Sequence, residues 1–386
     1  MSLLLASVCL LFAAADPHHA LEAPRPLAFE MDADPVVVPM RLKDGRIELD
    51  VRIDGKDPVP FVLDTGAHGS VLDLAYAKDA GLKLLGDARI GSPGGGGLDG
   101  KRVTMGRLDI GGLHVKNVPG VAFAPWPFPP SPAMARGVLS PYGLAGLLVE
   151  IDYPGKRVVF RKGALGEPDG KEIFSWDRAH GLPEIPITVA GKTVAAHLDS
   201  GASAGLSLPD KLATELPLAS PLKEIGRARL VDRELVVRGA KLDGDVRIGR
   251  YVLERPEVDF VDIGLDLANV GPMILNQLTI VLDPAQSRLR IVGPADGKLI
   301  AAARPKRYGV KFVSPDATPP EISEVVPGGR AEKGGLRAGD RILTINGRAA
   351  AEMNGDERNE AMKTSPLKLR VQRGEETVDL TLSLED

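Results

Sequence analysis

Cysteine is nearly absent from this 386-residue chain. The single Cys9 excludes an intrachain disulfide framework and a zinc site built on thiolates. Aromatic residues reach only 4%, which argues against a carboxylate-pair glycosidase, whose cleft needs aromatic sugar platforms and two well-separated acids. Charge of one sign is lacking too: 48 Lys and Arg stand against 52 Asp and Glu, so no electrostatic case exists for nucleic acid or an anionic membrane surface. No apolar run approaches the ~18 residues of a membrane span. The six histidines form no H-E-x-x-H or clustered ligand pattern, so neither a metal nor an organic cofactor is expected. What is plentiful is Gly (44) and Pro (32), about one residue in five, the mark of a turn-rich β chain. A hydrophobic share of 44% over this length is ample for two to four packed domains.

The amino terminus reads as a targeting segment. Leu3 to Phe12 is apolar, Ala13-Ala14-Ala15 offers a small-x-small cleavage site, and Asp16-Pro17 follows. A signal peptide over 1–15 and a lead-in over 16–34 predict an exported chain, periplasmic or secreted.

From about residue 35 to 295 the chain repeats itself at an offset near 135. Glu48 to Lys56 alternates like a half-buried strand ending in a turn, and Glu184 to Lys192 does the same. Each leads into a second strand and a tetrad: Leu63-Asp64-Thr65-Gly66-Ala67 and Leu198-Asp199-Ser200-Gly201-Ala202. Leu108 to Leu113 corresponds to Asp245 to Arg250, and Ile151-Asp152 to Leu282-Asp283. Short helices are expected after each tetrad, over Asp73 to Gly81 and Pro209 to Leu216, and another over Asn354 to Lys363.

An Asp-Thr/Ser-Gly at the end of an apolar strand places a carboxylate where the chain turns sharply, with a hydroxyl to brace the turn and a glycine to allow it. One such tripeptide is a common turn. Two at equivalent places in a duplicated unit can meet across a pseudo-twofold axis, where two carboxylates a few ångströms apart share one proton. One is then a base for water and the other an acid for a carbonyl.

Residues 35–295 therefore resemble the retropepsin-like aspartic peptidases, with both half-sites fused in one chain. The resemblance implies lobes over 35–170 and 171–295, catalysis by Asp64 and Asp199, support from Thr65, Gly66, Ser200 and Gly201, and a flap over a cleft. Gly94, Gly95, Gly96 and Gly97 lie at the natural flap tip. The equivalent stretch near Glu224 to Arg238 is not glycine-rich, so the flaps are expected to differ. Leu144-Ala145-Gly146 and Asn269-Val270-Gly271 are expected to complete the two ψ-loops. His68, His197, Asp152 and Asp283 read as structural residues.

Rival motifs fail. Gly201-Ala202-Ser203-Ala204-Gly205 matches a nucleophile elbow, but every histidine precedes it, against the order that such hydrolases need. Gly95 to Gly100 fits G-x-G-x-x-G but opens a strand pattern instead of a helix, and Gly191-Lys192-Thr193 lacks the first glycine of a P-loop.

After a linker over 296–304, residues 305–386 resemble a PDZ domain. The signature is Ile322-Ser323-Glu324-Val325-Val326-Pro327-Gly328-Gly329, then Gly335-Leu336-Arg337-Ala338-Gly339-Asp340-Arg341-Ile342-Leu343-Thr344-Ile345-Asn346-Gly347. The resemblance implies capture of a peptide C-terminus as an added strand by Tyr308, Gly309, Val310 and Phe312, with Lys311 where the family has a second glycine. The chain is thus expected to be mainly β: two acid-protease-like lobes related by pseudo-twofold symmetry, plus a PDZ domain. Its expected function is that of a monomeric aspartic endopeptidase acting on peptides or proteins, its PDZ domain recruiting or gating substrate. The alternative is an inactive scaffold that binds peptides through the same groove and PDZ domain.

Overall fold

The computed structural model describes residues 27–385 apart from 44, 93–94, 128–133, 178–182, 203, 231, 302–305 and 314–316. The expected signal peptide, most of the lead-in, Cys9, Gly94 and part of the linker therefore lie outside the described residues. One compact unit includes residues 27–222 and 229–302; the C-terminal unit includes residues from 306 onward.

In the first unit each repeat builds the same arrangement of four strands. Strand Gly137–Leu139 lies parallel to Val59–Leu63 and antiparallel to Ser70–Asp73, and Ser70–Asp73 in turn lies parallel to Leu113–Phe123. In the second repeat Ala268–Val270 lies parallel to Lys192–Leu198 and antiparallel to Leu206–Pro209, which lies parallel to Glu257–Val261. The ψ-strand of the second repeat is the one the sequence suggests. That of the first is not: Leu144-Ala145-Gly146 follows a 3₁₀ turn, Pro141–Gly143, and the inserted strand is Gly137–Leu139. The reason is volume. Gly137 stands opposite Phe61, whose ring leaves no room for a Cβ (2.1 Å), whereas Ala268 stands opposite Ala196. The apolar-apolar-Gly pattern points to Leu144-Ala145-Gly146, but the large-against-none and small-against-small pairs favour the strand that starts seven residues earlier, at Gly137.

The repeats are joined by a six-stranded antiparallel sheet to which both contribute equally, in the order Ile173–Ser175, Arg288–Val292, Thr279–Asp283, Leu148–Asp152, Arg157–Arg161, Val36–Pro39. Its centre pairs Ile151 with Ile280 and Asp152 with Thr279. Asp152 accepts from Gly155 N–H (2.9 Å), Arg157 Nε (2.8 Å) and Thr279 Oγ1 (3.3 Å), and Asp283 from Leu165 and Gln286 N–H, as structural carboxylates do. One hydrophobic core runs through both repeats, from Ile47 and Leu63 to Leu198 and Ile291. The helices expected after the tetrads are Leu74–Asp79, capped by Asp73, and the 3₁₀ helix Asp210–Thr214.

The C-terminal unit has its own core around Tyr308, Ile342, Leu367 and Leu382. Strands Val310–Phe312 and Ile322–Val325 pair, and Arg341–Ile345, Leu367–Arg373 and Glu376–Leu382 form a sheet with Arg348–Ala349. Asn346 and Gly347 both have positive φ (51° and 84°), the conformation a two-residue hairpin turn requires. Helix Gly355–Ala361 carries an Asn354/Glu357 capping box. No helix among the described residues is long and apolar enough to cross a membrane.

Candidate active site

Strands Val59–Leu63 and Lys192–Leu198 end at the two tetrads, and each aspartate is anchored to its ψ-strand by its own N–H: Asp64 to Leu139 O (3.0 Å), Asp199 to Val270 O (2.9 Å). Between the tetrads the hydroxyl residues exchange bonds. Thr65 N–H donates to Ser200 Oγ and Ser200 N–H to Thr65 Oγ1, both at 3.0 Å. The hydroxyls then donate onward across the boundary, Thr65 to Leu198 O (2.5 Å) and Ser200 to Leu63 O (2.8 Å). Tyr142 adds a bond from its phenol to Thr65 O (2.5 Å). Every group in this lattice is buried, so each bond replaces water that is not there to compensate its loss.

The lattice sets Asp64 and Asp199 side by side, 0% and 1% exposed. A Cβ on Gly201 would lie 2.3 Å from Asp64 Cγ and one on Gly66 2.8 Å from Asp199 Oδ1, so each glycine is the floor beneath the opposite carboxylate. The two acids are not equivalent. Asp199 receives Gly201 N–H (2.8 Å) and Ala202 N–H (3.0 Å) on Oδ1 and Asn269 Nδ2 (2.7 Å) on Oδ2. Asp64 receives Gly66 N–H (2.6 Å) on Oδ1, and its Oδ2 is buried without a hydrogen-bond partner among the described residues. Burial, and then the Asp199 charge, hold the Asp64 carboxyl well above the ordinary carboxylate range; Gly66 N–H and the Arg46 guanidinium oppose this without reversing it. Tyr153 is buried beneath the same pair, its phenol raised by desolvation first and then by the two carboxylates.

Of the glycines expected at the flap tip, Gly95, Gly96 and Gly97 connect the long hairpin strands Leu84–Gly91 and Gly97–Ile110. Two side chains of the other repeat bind them. Gly97 N–H donates to Asp232 Oδ2 (2.8 Å), and Arg233 Nη1 donates to Gly95 O (2.8 Å). Gly96 has φ +92°, and a Cβ there would strike Asp232 Oδ2 at 2.1 Å. In the C-terminal unit Gly309 has φ +79° and Val310 and Phe312 lie on the strand beside it; Tyr308 is 2% exposed, its phenol donating to Thr364 O (2.7 Å), so its side chain belongs to the core. Among the described residues no group of three His, Cys, Asp or Glu could hold a metal.

Sequence reasoning missed Asn269 as a donor to Asp199, Arg46, whose Nε donates to Gly201 O (3.1 Å), and the Asp232–Arg233 pair. For the first ψ-strand a signal was present: the offset of 131 from Ile151 to Leu282, carried back from Asn269, lands on Val138 in strand Gly137–Leu139.

Comparison with known proteins finds an aspartyl protease family model matching twice, over residues 49–142 and 185–278, and a PDZ domain model matching residues 298–372. No curated protein matches the chain. Among solved structures the chain is similar to the HtrA3 PDZ domain bound to a phage-derived ligand, FGRWV, at 34% identity and a TM-score of 0.16. The match covers 17% of this chain and 61% of that one.

Proposed function

We propose that this chain, a duplicated retropepsin-like aspartyl protease with a C-terminal PDZ domain, is an aspartic endopeptidase. The observation that carries the reading is the inequality of the two buried acids: the Asp64 carboxyl is raised, so the proton of the pair is placed there, while Asp199 is bonded by three N–H groups. Asp199 takes a proton from a water held between the acids, and the water oxygen attacks the substrate carbonyl carbon. Asp64 gives its proton to the carbonyl oxygen, forming a neutral tetrahedral diol. Asp199 then returns its proton to the amide nitrogen while the ionised Asp64 takes one from a diol hydroxyl, so that the C–N bond breaks, an amine and a carboxylic acid leave, and both acids regain their starting states. The Thr65–Ser200 lattice holds the acids at this separation, and the Gly95–Gly97 flap closes over bound peptide.

The PDZ domain recruits a peptide C-terminus. Strand Val310–Phe312 pairs on one edge with Ile322–Val325 and offers its other edge for β-augmentation, beside the positive-φ Gly309. Leu3 to Phe12 supports export of the chain.

The test is to incubate the chain, Asp64→Asn and Asp199→Asn with unfolded proteins from about pH 3 to pH 8 and to read new termini by mass spectrometry. Cleavage by the parent and by neither variant is expected. Cleavage surviving both substitutions, or none by a folded parent at any pH, overturns the reading.

A further inference from the structure

The side chains beside the two aspartates differ in a way the repeat does not require. Along each tetrad strand alternate residues face opposite ways. Leu63 and Leu139 of the first repeat, and Leu198 and Val270 of the second, enter the main core. Their neighbours leave by the other face. In the first repeat these are Val62 and Val138, register partners that pack against Ile90 and Leu98 from the flap hairpin in a separate apolar cluster. In the second repeat the register partners at the same places are His197 and Asn269. The 2.7 Å bond from Asn269 to Asp199 marks this face as the one that looks onto the acids. An aliphatic pair on the Asp64 side is thus answered by a polar pair on the Asp199 side.

His197 is 1% exposed. Its Nδ1 lies 2.8 Å from Pro183 O, and a carbonyl only accepts, so Nδ1 carries the hydrogen of that bond. In the neutral imidazole Nε2 is then an acceptor, and it is buried without a partner among the described residues. Buried polar atoms are ordinarily satisfied, and one left over beside a reactive centre calls for an explanation.

We propose that the two subsites flanking the dyad select opposite chemistries. The Val62–Val138 side takes an apolar substrate side chain, and the His197–Asn269 side takes a side chain that donates a hydrogen bond to His197 Nε2, such as Ser, Thr, Asn or Gln. A site built to hydrogen-bond a substrate group discriminates far better against an analogue lacking it than an apolar pocket does against a missing methylene. The inference rests on the peptidase reading for its location, and its test is arranged to survive failure of that reading.

A peptide library with amidated C-termini, which keeps it off a carboxylate-capturing PDZ site, is digested by the parent chain, His197→Val and His197→Gln, and the cleavage sites are sequenced. The parent is expected to show an apolar preference on one side of the scissile bond and a donor-bearing preference on the other. His197→Val, which copies Val62, is expected to lower kcat/KM for donor-bearing peptides about tenfold against their aliphatic counterparts, leaving the other side unchanged; His197→Gln keeps an acceptor and the preference. A parent profile apolar on both sides overturns the proposal whatever the variants do, and so does a donor preference that persists in folded His197→Val. If the parent cleaves nothing, the same peptides are selected by equilibrium binding on Asp64→Asn with and without His197→Val. Enrichment of donor-bearing peptides that needs His197 sustains the asymmetry without catalysis, and its absence refutes it.

Discussion

Thr65 and Ser200 hold each other by reciprocal bonds, backbone N–H to hydroxyl oxygen at 3.0 Å in both directions, and so tie two tetrads 135 residues apart into one buried unit. Because each hydroxyl also caps a strand-end carbonyl of the opposite repeat, removing either one strands two groups at once.

Thr65→Val and Ser200→Ala are therefore expected to destabilise the N-terminal unit by roughly 1–3 kcal/mol each, the range for leaving buried polar groups unsatisfied. Each change orphans its own two backbone groups, Ser200 N–H and Leu198 O for Thr65→Val, Thr65 N–H and Leu63 O for Ser200→Ala, so the double variant is expected to cost about the sum. Denaturant midpoints for the four members of the cycle test this. A double variant costing much less than the sum would mean that the tetrads relax together once either hydroxyl is gone.

The raised Asp64 carboxyl has a consequence for stability against pH. Folding favours its protonated form, so its contribution is complete below the ordinary carboxylate value, about pH 4, and is lost as pH rises through the higher folded value. Asp64→Asn keeps the shape and has no proton to lose. Melting temperatures measured across pH should show the variant gaining on the parent as pH climbs from about 4, by ~1.4 kcal/mol for each unit of the rise. A difference constant with pH would contradict a raised Asp64.

Asp232 is expected to act as a latch on the flap. Desolvation works against its charge, but Ser92, Arg233 and Gly97 N–H together hold the carboxyl below the usual range. The bond to Gly97 is thus fully present above about pH 4 and loosens as pH falls through the lower folded value. Asp232→Ala should speed amide exchange at Gly95 to Leu98 about tenfold at neutral pH, while exchange in the strands Val59–Leu63 and Gly137–Leu139 stays unchanged. Equal protection in parent and variant would remove the latch.

In the C-terminal unit Asp340, with its side chain 1% exposed, receives Arg373 at 2.8 and 2.7 Å and Arg337 N–H at 2.8 Å. Burial raises its carboxyl, and Arg373 followed by Arg337 N–H outweigh that and lower it. Asp340→Asn leaves Arg373 without its counterion and is expected to destabilise this unit by roughly 3–5 kcal/mol, read as an earlier melting transition. A melting profile like the parent's would show the pair to be replaceable.

Much of this architecture was readable in local pattern. Period-two alternation, the paired tetrads and the Asn346-Gly347 turn depend on neighbours in sequence, because strand pleat and turn conformation are decided by residues a few positions apart. Those features alone determined a duplicated β chain, two aspartates at strand ends and a small C-terminal β domain. The rest needed register and the approach of distant segments. That Gly137–Leu139, and not Leu144 to Gly146, fills the first ψ-loop depends on Phe61 finding space above a glycine. That the Asp64 carboxyl is raised depends on its burial and on Asp199 standing beside it from 135 residues away, and the flap contact depends on Asp232 reaching Gly97 across 135. Burial, charge proximity and hydrogen-bond partnership are properties of space, not of spacing along the chain. Two near-identical tetrads therefore become chemically unequal only once the fold surrounds them with different neighbours.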